Sequence, residues 1–181
     1  MDLKVIDGFY NDPDSIRTLA LGAWYESFPV GNYIGRDTRN QMIMKNELEE
    51  RLSNIFQTDV QITSSKFRYA LEHDSPLSWV HTDPGVGWHL IVPLMKRDVE
   101  DGVIFWEHFK HGRHSNIDVP NHETFNLNLW SKWHTEYYKY NRAVIFDFRY
   151  FHSAMHQSGY GKNIEESRLY HICKFKKREQ P

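Results

Sequence analysis

The spacing of apolar residues changes period about a third of the way along this chain. Leu3-Lys4-Val5-Ile6-Asp7 reads as a short opening strand, and Asn11-Asp12-Pro13 as a helix start, with Asp12 capping and Pro13 at the first helical position. Ile16, Leu19, Ala20, Ala23 and Trp24 then recur at helical spacing and predict one buried face. Residues 26 to 41 fit no regular period and predict an irregular loop, able to overlie a site. A second helix is expected from Asn46, with Glu49 at capping-box spacing and Leu48, Leu52, Ile55 and Phe56 on one side.

Beyond it the period becomes two. Residues 60–63 and 66–71 alternate as half-buried strands. A mostly apolar run at 87–94 ends near Pro93, a residue that suggests a strand end or an edge. Asp101-Gly102 turns into an apolar strand at 103–106. Residues 108–123 read as a long His-rich loop, 125–130 as an alternating strand and 131–140 as helix or turn. The most strongly β segment is 142–152, and 167–175 makes the last strand. Helices first and eight or so short strands afterwards predict a mainly β protein with flanking helices, a double-stranded β-helix of the jelly-roll, cupin-like kind.

Composition narrows this picture. With 181 residues the chain suits a single domain that buries about 70% of its unfolded surface. An aromatic fraction of 15% predicts a ring-rich core, with Trp79, Trp88 and Phe148 as walls of a pocket or plain barrel filling. A net charge of -2 gives no field for a polyanion, so no nucleic-acid partner is expected. Cys173 is the only cysteine, no apolar run approaches the ~20 residues of a membrane span, and the first residues lack a secretory pattern. These features predict a soluble, cytoplasmic protein without a membrane partner.

Candidate chemistry centres on His81-Thr82-Asp83. In extended backbone, residues two apart leave on one face, so this imidazole and carboxylate can converge. They would supply two of the three donors of a non-heme iron site. A third donor, His152, closes the strongest β segment, and Arg168 follows near the start of the last strand, where an inward guanidinium could bind a carboxylate through paired hydrogen bonds. His134 with Glu136 forms a rival pair, and His156 a rival to His152. His89 and His171 fall inside apolar strands, as core or supporting histidines. His108, His111, His114 and His122 lack the cysteines of a structural zinc site.

The order of four elements resembles a known family. His81-Thr82-Asp83, then Asp101-Gly102-Val103-Ile104-Phe105, then Ala143-Val144-Ile145-Phe146-Asp147 leading to His152, then Arg168, look like the motifs of the Fe(II)/2-oxoglutarate-dependent dioxygenases, most closely their prolyl-4-hydroxylase-like branch. The opening Val5-Ile6-Asp7-Gly8-Phe9 is also similar, and nearly the whole chain is covered. The resemblance implies iron on His81, Asp83 and His152, the distal carboxylate of 2-oxoglutarate on Arg168, and Tyr69 touching that cosubstrate. It also implies O2 as oxidant, ascorbate as an auxiliary reductant, and hydroxylation of a C–H bond in a small molecule or a peptide. The chain departs from the pattern where two glycines usually precede the middle strand, since Glu100-Asp101-Gly102 stands there. A non-catalytic jelly-roll binding module and a cupin-type metalloenzyme that does not use 2-oxoglutarate are the alternatives. Substrate and oligomeric state are not legible.

Overall fold

The structure is a computed structural model that describes residues 3–27, 35–76, 79–97, 99–114 and 119–178. Ten strands are described: β1 (Lys4–Ile6), β2 (Tyr25–Ser27), β3 (Arg36–Thr38), β4 (Val60–Ala70), β5 (Trp88–Pro93), β6 (Gly102–His108), β7 (Trp130–Tyr137), β8 (Ala143–Asp147), β9 (His152–Ala154) and β10 (Arg168–Lys177). The helices are α1 (Pro13–Leu21), α2 (Lys45–Phe56) and the single turn α3 (Asn121–Thr124).

Seven strands form one sheet in the order β1-β8-β5-β10-β4-β3-β2, and β7-β6-β9 form a second, smaller one. Every strand pairing in both sheets is antiparallel. The inner faces meet on Ile91, Phe146 and Ile172 from the large sheet and Val103 and Phe105 from the small one. The outer face of the large sheet is covered by the helices. Leu48 and Leu52 of α2 pack on Ile62, Leu90 and Phe175, while Ala20 of α1 packs on Phe67 and Leu169. Period-two alternation along β10 therefore sends Tyr170 and Ile172 inward and Leu169, Cys173 and Phe175 toward the helices. This is the jelly-roll architecture that the order of elements predicts.

Several local expectations change. α1 starts as read, with the Asp12 carboxylate accepting from Ser15 N at 3.1 Å. The capping box of α2 does not form. Met44 occupies the cap in left-handed conformation, and Glu49 instead accepts from Ile62 N at 2.9 Å, tying the helix to β4. The two strands expected over 60–71 are one continuous β4, whose irregularity is absorbed opposite Lys174 and Phe175.

Within the expected loop 26–41, residues 36–38 form β3 on the edge of β4, and 28–34 lie outside the described residues. The expected strand at 125–130 is a 3-10 turn up to Leu129, and the expected helix or turn at 131–140 is mostly β7. Pairing with all of β6 decides that segment, a long-range contact that no local period displays. Pro93 ends β5, which is central rather than at an edge. Among the described residues no helix is long and apolar enough to cross a membrane.

Candidate metal centre

The His-x-Asp segment has no strand of its own but is zipped onto the connection from β8 to β9. His81 N donates to His152 O at 3.0 Å, His152 N donates to His81 O at 2.8 Å, and Asp83 N donates to Phe148 O at 2.9 Å. Residues far apart in sequence thus become neighbours through backbone pairing, and the rings of His81 and His152 stand 4.4 Å apart.

Both imidazoles are held alike. His81 Nδ1 lies 2.9 Å from Trp79 O, and His152 Nδ1 lies 2.9 Å from Tyr150 O. A carbonyl can only accept, so Nδ1 carries the proton and Nε2 of the neutral ring keeps its lone pair. That is the state and orientation a metal-binding histidine needs.

Asp83 is central to the cluster and only 8% exposed. Its Oδ1 accepts from Lys174 Nζ at 2.5 Å, while Oδ2 lies 2.9 Å from His89 Nδ1 and 3.8 Å from His152 Nε2. The 2.9 Å contact is off the hydrogen-bonding direction, so Asp83 Oδ2 and both nitrogens of His89 are buried without a hydrogen-bond partner. Orphaned buried polar atoms are costly and need a partner from outside the side chains. Donor atoms of Asp83, His89 and His152 all lie within 4.8 Å of one another. Ligands ~2.1 Å from one ion stand about 3 Å apart as octahedral neighbours and at most about 4.2 Å apart, so the donors would draw inward by a few tenths of an ångström or more on binding, and one oxygen with two imidazole nitrogens suits a borderline divalent ion such as Fe(II).

Electrostatics prepare the same state. Burial lowers the affinity of His81 and His89 for protons, and burial together with the facing His81 pushes His152 down to about 3. Burial alone would raise Asp83, but the facing His89, His152 and Lys174 hold it well below the usual carboxylate range. At neutral pH the cluster presents neutral imidazoles and an ionised carboxylate, so no proton has to leave before a metal binds.

A cavity of about 100 Å³ runs from this cluster between the sheets. Its walls include Trp79, His81, Asp83, His89 and His152 at one end, Ile91, Val103 and Ile172 along it, and Arg168 and Tyr170. Arg168 is 1% exposed and does reach the cavity. Its fork, however, is engaged by Asp101. Nε donates to Oδ2 at 2.8 Å and NH2 donates to Oδ1.

Tyr69 is not brought to this cavity. It lies on the opposite face of β4, with its ring against Tyr25 and under the Arg36 guanidinium, while Arg68 and Ala70 line the wall. Arg68 is held there by Asp37 at 2.5 and 2.8 Å. The rivals fall elsewhere, since His134 faces Glu136 at 3.6 Å on β7 and His156 donates to Glu100 O at 2.7 Å. His171 is a core residue, bonded to Tyr10 Oη at 2.6 Å and Ser65 Oγ at 2.8 Å.

Sequence reasoning placed His89 only as a core or supporting histidine and gave Lys174 and Asp101 no side-chain role at the site. His89 was the most findable, because it sits two residues before inward-facing Ile91 on the same strand. Lys174 reads as part of a basic end, and Asp101 as a turn residue.

No family model and no curated protein matches this chain by sequence. Solved structures do match its fold. HygX from Streptomyces hygroscopicus, solved with nickel, 2-oxoglutarate and hygromycin B bound, is similar at a TM-score of 0.63 and 12% identity, over 97% of this chain and 82% of HygX. SnoN, a non-heme alpha ketoglutarate dependent epimerase from nogalamycin biosynthesis, gives 0.62 and 12%, over 97% of this chain and 78% of its own. The carbocyclase SnoK from the same biosynthesis gives 0.63 and 11%, over 96% and 78%. At these identities the likeness concerns the fold alone, which this chain shares with these three enzymes.

Proposed function

We propose that the chain is a single-domain Fe(II)/2-oxoglutarate-dependent oxygenase that hydroxylates a C–H bond, in which His81, Asp83 and His152 hold the iron. The observation that carries this reading is the buried group of Asp83, His89 and His152, neutral imidazoles around an ionised carboxylate with an orphaned oxygen, with His81 beside it at one end of a cavity that Arg168 also lines. His89 belongs to the close group of donor atoms with Asp83 and His152, and His81, whose ring faces His152, stands beside that group, so His89 competes with His81 for the third ligand position. The order of motifs supports the prolyl-4-hydroxylase-like branch. The fold neighbours work on or were solved with small molecules, which supports a small-molecule substrate beside a peptide one. The lone buried Cys173 is in keeping with a cytoplasmic setting.

Bound Fe(II) with 2-oxoglutarate and O2 supplies oxidative decarboxylation coupled to C–H oxidation. The chain itself supplies orientation and dryness. Backbone carbonyls of Trp79 and Tyr150 aim the two imidazoles, and Lys174 fixes Asp83 so that one carboxylate oxygen faces the cluster. Trp79, Ile91, Val103 and Ile172 line the cavity with apolar surface that excludes water.

Anaerobic addition of Fe(II) and 2-oxoglutarate tests the reading. The expected result is a weak visible charge-transfer band, and succinate on admitting O2. Folded protein that retains iron but gives no band would favour a cupin-type enzyme without the keto acid, and protein that retains no iron would favour a binding module.

A further inference from the structure

Arg168 offers five N–H donors, and four of them are committed. Nε and NH2 reach the two oxygens of Asp101, and NH1 donates to His156 O at 3.0 Å and Ser158 O at 3.3 Å. The rings of Tyr160 and Tyr170 lie 5.6 and 5.8 Å from the guanidinium carbon, so its faces are flanked as well. Asp101 is no surface residue that happens to swing in. It is 1% exposed, its Oδ1 accepts from Gly102 N at 2.7 Å and its Oδ2 from Tyr170 Oη at 3.3 Å. A buried carboxylate thus already makes, on this guanidinium, the two parallel charge-assisted bonds that an incoming carboxylate would make. Adding a second carboxylate there would leave a net negative charge in a buried site.

Resting on the oxygenase reading, we propose that Asp101 is a specificity-determining residue. Its carboxylate stands in for the distal carboxylate of the cosubstrate on Arg168, so that 2-oxoglutarate must displace it and gains little over a 2-oxo acid that ends in a methyl group. Selection among 2-oxo acids then rests on the keto-acid end at the metal and on the apolar wall of Ile91, Val103 and Ile172.

Binding to the Ni(II)-loaded protein, measured by calorimetry, tests this with two probes of equal chain length, 2-oxoglutarate and 2-oxopentanoate. In the wild type the two affinities should lie within about fivefold, where an open guanidinium fork would favour 2-oxoglutarate by roughly 100-fold. Asp101→Asn should tighten 2-oxoglutarate at least tenfold and leave 2-oxopentanoate within twofold. The gain should vanish in the Asp101→Asn, Arg168→Met double variant. A wild type that prefers 2-oxoglutarate by fiftyfold or more overturns the proposal, and so does a folded Asp101→Asn that gains nothing. Should Asp101→Asn fail to fold, the wild-type ratio alone decides. If neither acid binds the metal-loaded protein, the oxygenase reading itself falls and this inference with it.

Discussion

Replacing Asp83 by Asn keeps the shape of the side chain and removes its charge, which separates two effects. Without metal, Lys174 Nζ loses its carboxylate partner at 2.5 Å while its side chain is only 18% exposed. Breaking a fully buried pair costs about 3–5 kcal/mol, and the residual exposure of Lys174 places this one near 2–3 kcal/mol. For a chain of this length each kcal/mol moves Tm by about 2–4 °C, so the metal-free variant should melt roughly 5–10 °C lower. The second effect concerns metal. A divalent ion at 100 times its Kd stabilises the wild type by about 2.7 kcal/mol, or roughly 5–10 °C. Losing even a group that only supports a ligand costs 10–100-fold in metal affinity, so losing the ligand charge should cost at least about 100-fold. The same metal concentration then stabilises the variant by only about 0.4 kcal/mol, a shift near 1 °C. Differential scanning fluorimetry with and without Co(II) measures both. An undiminished Co(II) shift in Asp83→Asn would remove this carboxylate from the metal site, whatever happened to the metal-free melting point.

Three further outcomes follow from other parts of the molecule. Burial pushes His171 down to about 3, below its value of about 6.5 in the unfolded chain, so its stabilising contribution is complete above pH 6.5 and is lost as pH falls toward 3. The loss should amount to about 2 kcal/mol by pH 5, and urea melts of chelated protein at pH 7 and 5 should differ by that much less in His171→Gln than in the wild type. Asn141 has a φ of 60° and clasps Tyr10 through N–H and C=O contacts of 2.7 and 2.8 Å, so Asn141→Ala should cost about 2–4 kcal/mol in a urea melt. Gly159 leaves no room for a Cβ, which would stand 2.1 Å from the Ala70 carbonyl. Gly159→Ala should therefore push back the loop whose Ser158 carbonyl props Arg168, costing at least about 2 kcal/mol and weakening 2-oxo acid binding in the calorimeter.

What the sequence made legible is what local rules control. Pro13 after Asp12 marked α1, alternation marked β4, and apolar runs marked β5 and β8, which are covered by the helices on one face and the opposite sheet on the other. Same-face spacing and strand order, both properties of sequence, also bring His81, Asp83 and His152 to the lining of one cavity, although the close group of donor atoms there is Asp83, His89 and His152. Other features depend on partners far along the chain. β7 is a strand because β6 lies beside it, and Glu49 leaves its capping role because Ile62 N competes for it. Tyr69 faces the helices because β4 runs unbroken through a position where two separate strands were expected, which fixes the face of every residue in it. His89, Lys174 and Asp101 escaped because their significance is a matter of which buried charge each meets, and no spacing rule records that.

β10 lies in the middle of the large sheet, between β5 and β4, yet it follows both of them along the chain by many residues. During synthesis those two strands must therefore wait with bare inner edges until the segment carrying both Arg168 and Lys174 emerges. A nascent chain that pauses before residue 168 exposes both edges and lacks the two cations that meet Asp101 and Asp83, so yield on expression should respond to translation speed and chaperone supply more than to the composition of the surface.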